Sequence, residues 1–134
     1  MKLALTAFIF LASSLAAPFA SARTMKCAIY DETVPGGKPS IEEAKEIATD
    51  TTTLISGSTL KTALFSCDGV YHPTISSRSS VLIAEIYIEQ DGYPQRIAQS
   101  ETVLTRGHAK TSTLVTYIYD RGTKEASCKC MIED

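Results

Sequence analysis

The longest apolar run of the chain lies at its start, where "LALTAFIFLASSLAA" follows Lys2. A basic residue, an apolar stretch too short to span a bilayer and the small residues "ASA" at 20–22 have the form of a secretory signal peptide. Beyond it the pattern changes. Residues 24–30, "TMKCAIY", alternate weakly and predict a first strand. "VPGGKP" is loop-forming by its proline and glycine content. In "SIEEAKEIATD" the residues Ile41, Ala44, Ile47, Ala48 and Thr51 recur at helical spacing, with Ser40 placed as N-cap and Glu43 to close a capping box. This predicts a helix over 41–52, with an apolar stripe narrow enough to lie on a sheet. The remainder reads as strands. "LKTALFSC" (60–67) runs into Asp68-Gly69, a turn pair, and "VLIAEIYIEQ" (81–90) stops at Asp91-Gly92. A short strand is expected over 95–104. Residues 112–120 and 124–132 flank Arg121-Gly122-Thr123, a hairpin connection. The pattern predicts an α+β fold: one helix packed on an antiparallel sheet of four to five strands.

Cleavage after Ala22 leaves a single domain, Arg23–Asp134, without a membrane anchor. It carries 12 basic and 15 acidic residues, a formal net charge of −3. The basic residues are scattered singly, which disfavours tight nucleic-acid binding. No asparagine occurs, so N-linked glycosylation is excluded. Cys27, Cys67, Cys128 and Cys130 form an even set that reads as two disulfides in an exported domain, with three pairings open. "CKC" with two distant cysteines is poorly spaced for zinc, and no metal or cofactor is expected.

An export signal, a cysteine a few residues into the mature chain ("TMKC"), one helix, a run of strands, "GVYHPTI" and the closing "RGTKEASCKCMIED" together resemble the ribonuclease-like secreted effectors of powdery mildew and related plant-pathogenic fungi, built on the fungal guanyl-specific ribonuclease fold. The group usually has an aromatic residue two before its first cysteine; Thr24 stands there. The resemblance implies a first strand tied to the last, and the pairing expected with it is Cys27–Cys130. Cys128, on the same strand face as Cys130, is then left to reach Cys67.

Active members of that fold cleave RNA with a carboxylate base, a histidine acid and an arginine that steadies the phosphorane. For an active enzyme the set by residue type would be Glu85, His72 and Arg78, with Arg96 and Arg106 equally eligible as the arginine. Glu85 shares a strand face with Glu89, a pattern equally suited to a solvated sheet face. The family's Tyr-Pro-His order reads Tyr71-His72-Pro73 in this chain, which puts proline in the histidine's place. The late strand that should hold the acid, "TLVTYIYDRG", has none, and His108 lies in the neighbouring "RGHAK".

The expectation is therefore a non-catalytic effector, a monomer that binds a host protein or, more weakly, host RNA. It is secreted, with onward translocation into a host cell left open. The alternatives are an active extracellular ribonuclease and a small inhibitor or toxin-like module. Contacts are expected from the loops Asp68–Ser80, Asp91–Arg96 and Thr105–Lys110, through Tyr71, Arg78, Tyr93, Arg96 and Arg106.

Overall fold

The computed structural model describes residues 22–34, 41–48, 54–73 and 79–133. These form eight strands: β1 (Ala22–Asp31), β2 (Ile41–Ala48), β3 (Ile55–Lys61), β4 (Phe65–His72), β5 (Val81–Gln90), β6 (Tyr93–Val103), β7 (Ala109–Tyr119) and β8 (Gly122–Glu133). Among the described residues there is no helix. The α+β expectation is thus corrected to an all-β fold, and the helix-on-sheet layout of the ribonuclease-like group goes with it. Residues 1–21, all of the expected export signal but Ala22, and Arg78 lie outside the described residues.

Two four-stranded antiparallel sheets stack face to face, a terminal sheet β2-β1-β8-β7 and a middle sheet β3-β4-β5-β6. Strands that follow one another in sequence are neighbours in space, and β8 closes on β1. The chain therefore follows an up-and-down barrel whose ladders break at two seams, β2/β3 and β6/β7, flattening it into a sandwich. Strand alternation supplies the core. Met25, Cys27 and Ile29 of β1 and Cys128, Cys130 and Ile132 of β8 face Cys67, Tyr71, Leu82, Ala84 and Ile86, all at most 2% exposed. Each large aliphatic side chain buried this way contributes about 1.5–3 kcal/mol.

Both disulfides pair as expected. Cys27–Cys130 joins directly opposed residues of β1 and β8, with Cα atoms 4.2 Å apart. Cys67–Cys128 crosses between the sheets, from β4 to β8.

The segment predicted as helix over 41–52 is strand β2 as far as Ala48, and the rest of it lies outside the described residues. It ladders along β1 from Ile29↔Ile41 to Ala22↔Ala48. Glu42, Glu43, Lys45 and Glu46 are exposed, and of the apolar residues Ile47 is buried while Ile41 remains 38% exposed. Backbone pairing with β1, a non-local interaction, overrides the local helical spacing. The predicted strand 60–67 straddles the bend at 62–64 that separates β3 from β4.

Asp68-Gly69 is no turn but the middle of β4. A glycine is needed there because a Cβ would lie 2.2 Å from Cys27 Sγ and 2.8 Å from Cys130 Sγ. The strand crosses directly over that disulfide. Asp91-Gly92 does form the tight turn between β5 and β6, with φ of 53° and 80°. The last hairpin turns on Asp120-Arg121, one residue earlier than Arg121-Gly122-Thr123 implied. The expected loop Thr105–Lys110 is a two-residue hairpin turn on Arg106-Gly107, closed by backbone bonds between Thr105 and His108. All three turns have positive φ at both central residues, the geometry that matches strand twist.

One buried carboxylate pins an end of the sandwich. Asp31, fully buried, accepts hydrogen bonds from Thr33 N and Oγ1, Thr62 Oγ1 and Tyr117 Oη. Burial would raise its carboxyl, but the bonds from Tyr117, Thr33 and Thr62 outweigh it and hold the group below its ordinary value. Tyr117, partly buried and bonded to the charged acceptor, is pushed up to about 12. This network fastens β1, the β3–β4 bend and β7 together.

Candidate functional site

The outer face of the middle sheet carries a polar cluster built around Glu85. On β5 the odd positions point outward, away from Leu82, Ala84 and Ile86, which places Glu85 and Tyr87 on that face. Glu85 is nevertheless only 8% exposed, because its neighbours close over it. Tyr87 Oη donates to one carboxylate oxygen at 2.6 Å and Arg96 Nη1 to the other at 2.7 Å. Arg96 arrives from β6, where a bulge opposite Ile86/Tyr87 shifts the register and sets Arg96 across from Tyr87. Burial and the bond to Glu85 push the Tyr87 phenol up to about 12.

Asp68 of β4 stands directly opposite Glu85, so two carboxylates sit side by side. Burial, followed by the charge of Glu85, raises the Asp68 carboxyl above its ordinary value against the opposing effects of Thr59 and Lys61. Its Oδ1 is buried without a hydrogen-bond partner. Such a group lowers stability wherever it is charged in the fold. With the folded value raised, the penalty is absent below the unfolded value and complete once pH exceeds the folded one. Asp68→Asn is therefore expected to raise the melting temperature at neutral pH. The gain should shrink to nothing as pH is lowered below about 4, a profile readable by thermal melts from pH 3 to 8.

The residues named from the sequence do not converge. Glu85 and Arg96 meet, as one ion pair. His72 lies on β4 four residues from Asp68, roughly 13 Å along the strand, with Nδ1 3.2 Å from the Pro73 carbonyl oxygen. His108 and Arg106 sit in the β6–β7 turn, and Tyr93 in β6 beside the β5–β6 turn, at the opposite end of the sandwich. Tyr71 points into the core, 1% exposed, its hydroxyl donating to Ser80 Oγ at 3.1 Å. Asp68 and Tyr87 belong to the cluster and were not picked out from the sequence. The period-2 pattern of β4 would have put Asp68 on an outer face, but its position opposite Glu85 depends on a register that no local signal encodes.

Comparison with family models, curated proteins and solved structures finds no significant match.

Chemically, the cluster is an anchored ion pair with an adjoining carboxylate, one of whose oxygens is unsatisfied. Both oxygens of Glu85 are engaged, and neither histidine shares its hydrogen bonds. Among the described residues, the one grouping with metal-ligand character is Cys67, Cys128 and Cys130, whose sulfurs are already joined in the two disulfides. What the site does produce is a fixed arginine: Arg96 keeps 53% of its side-chain surface exposed while Glu85 holds its guanidinium.

Proposed function

We propose that this chain is a secreted, non-catalytic binding protein whose partner is a host protein, docking where the β5–β6 turn presents Tyr93 and Arg96. The observation that carries the reading is the exposure of that pair on a rigid support. Tyr93 is 70% exposed immediately after the Asp91-Gly92 turn, and three residues on Arg96 is held by Glu85. Tyrosine and arginine are among the side chains that most often anchor protein interfaces, and holding the arginine in place lowers the entropy lost on docking. Ile97, 41% exposed at the bulge, adds apolar surface beside them. The plant host and the effector role come from the resemblance in the signal segment and the cysteine-bearing ends, not from the fold.

Of the five contact residues expected from the sequence, this reading keeps Tyr93 and Arg96. Arg106 lies at the far end of the sandwich, and Tyr71 is enclosed. The formal charge of −3 and the scatter of basic residues weigh against RNA as the main partner.

The ribonuclease alternative makes a separable claim. If Glu85 were a general base, Glu85→Ala would abolish RNA cleavage. Wild type and Glu85→Ala are expected to leave a mixed RNA substrate equally intact, whereas cleavage by wild type alone would establish the enzyme. The assay is gel resolution of end-labelled RNA after prolonged incubation.

A further inference from the structure

We propose that two copies of this chain pair through β7, antiparallel and about a two-fold axis at Val115, so that the terminal sheet continues from one copy into the other. The argument begins with the four sheet edges. β2 carries Glu42, Glu43, Lys45 and Glu46, all exposed. β3 is interrupted by a register shift between Ser56 and Ser58. β6 has Pro94, Arg96 and the bulge opposite Ile86/Tyr87. Charge, proline and bulges are the devices that stop an edge from pairing with another chain.

β7 has none of them. From Thr111 to Tyr119 it reads "TSTLVTYIY", nine residues without charge, proline or glycine. Its register with β8 is unbroken from Ala109↔Ile132 to Tyr119↔Gly122. Among the described residues it ladders with β8 alone. The hairpin to β6 opens immediately beyond the Thr105–His108 bridge, and β6 then meets β7 through side chains such as Thr111 Oγ1, which donates to Ser100 Oγ at 2.9 Å.

Hydrogen-bond alternation decides which residues face outward. The two-residue turn makes Tyr119 and Gly122 a bonded pair, so the odd residues of β7 direct their backbone groups to β8. Ser112, Leu114, Thr116 and Ile118 direct theirs to the free edge. Their side chains lie on the exposed outer face, where Leu114 is 57% and Ile118 84% exposed. Backbone donors and acceptors thus stand beside apolar surface along a strand of unbroken register.

The flanking charges select the occupant and the register. Lys110 and Asp120 bracket the uncharged run. In an antiparallel pairing centred on Val115, Ser112 meets Ile118 of the other copy and Leu114 meets Thr116. Lys110 of one copy then lies beside Asp120, the first residue of the other copy's hairpin turn, twice by symmetry. Shifting the register by one pleat in either direction sets Lys110 against Ile118 or Asp120 against Ser112 and loses both ion pairs. The edge is self-complementary in one alignment, which is what an isologous contact requires.

Sedimentation equilibrium of the oxidised, exported protein across a range of concentrations tests this. Wild type is expected to form a dimer. Thr116→Pro removes an outward N–H and leaves the β8 ladder intact, and should give a monomer. Lys110→Glu should weaken dimerisation roughly tenfold, and adding Asp120→Lys should recover it. Circular dichroism melts establish that each variant is folded. The proposal is overturned if wild type stays monomeric at every concentration, which is also the result if this edge serves a segment of another protein. It is likewise overturned if folded Thr116→Pro still dimerises, or if the folded charge-swapped variant fails to recover what Lys110→Glu loses.

Discussion

Replacing Cys67 and Cys128 together by alanine is expected to lower the unfolding free energy by about 4 kcal/mol. The bridge closes a separation of 61 residues and is the disulfide that joins the two sheets. In the chain-entropy account its loss restores conformational freedom to the unfolded chain. The two alanines add a smaller packing loss, since both sulfurs are fully buried. A domain of this size has about 5–15 kcal/mol of stability in total, so the variant should be marginal at physiological temperature. Guanidinium unfolding of oxidised wild type and variant measures the difference. A change below about 1 kcal/mol would mean that the sheets hold together through the core alone. Losing Cys27–Cys130, with its separation of 103 residues, should cost at least as much by the same entropy argument. Its partners are neighbours in an existing ladder, however, so the sheet pairing itself should survive.

Gly69→Val should destabilise the fold by about 3 kcal/mol or more. At most positions in the middle of a strand valine is favoured over glycine, so the expected sign is opposite to that of propensity. The reason is steric. A Cβ at residue 69 meets the sulfurs of Cys27 and Cys130, which are held by their own bond and by the β1–β8 ladder and cannot move aside as a flexible side chain would. Gly69→Ala should show the same sign at smaller size. Thermal melts of the oxidised proteins provide the comparison. A valine variant as stable as wild type would show that β4 does not run against the disulfide.

Gly69 also illustrates what the sequence concealed. Asp68-Gly69 has the composition of a turn, and the sulfurs that require the glycine come from residues 42 and 61 positions away. β2 misled for a related reason. Only Ile47 among its residues with described burial is enclosed, so its apolar positions report little about packing, while the capping-box residues supply a strong local helical pattern. Elements whose inner faces do pack were legible. β5 spans Val81–Gln90, the bounds its branched and aromatic run and the following Asp91-Gly92 turn predicted. The Cys27–Cys130 pairing came from the resemblance, and the shared strand face of Cys128 and Cys130, both of which project into the core, then left Cys128 to reach Cys67. In the polar cluster, Glu85 stood out as a charge inside an apolar strand. Its contacts with Asp68 and Arg96 depend on β4–β5 and β5–β6 registers, and the second of these shifts at a bulge.

The proposed function is binding through Tyr93, not catalysis. The most direct measurement is quantitative capture from plant extract by the immobilised, oxidised protein, comparing wild type with Tyr93→Ala and Arg106→Ala. Wild type and Arg106→Ala should retain the same plant protein in equal amount. Tyr93→Ala, with an unchanged melting temperature, should retain at least tenfold less, the loss of about 1.4 kcal/mol or more typical of an interface anchor. Equal retention by all three, or a loss confined to Arg106→Ala, would contradict it.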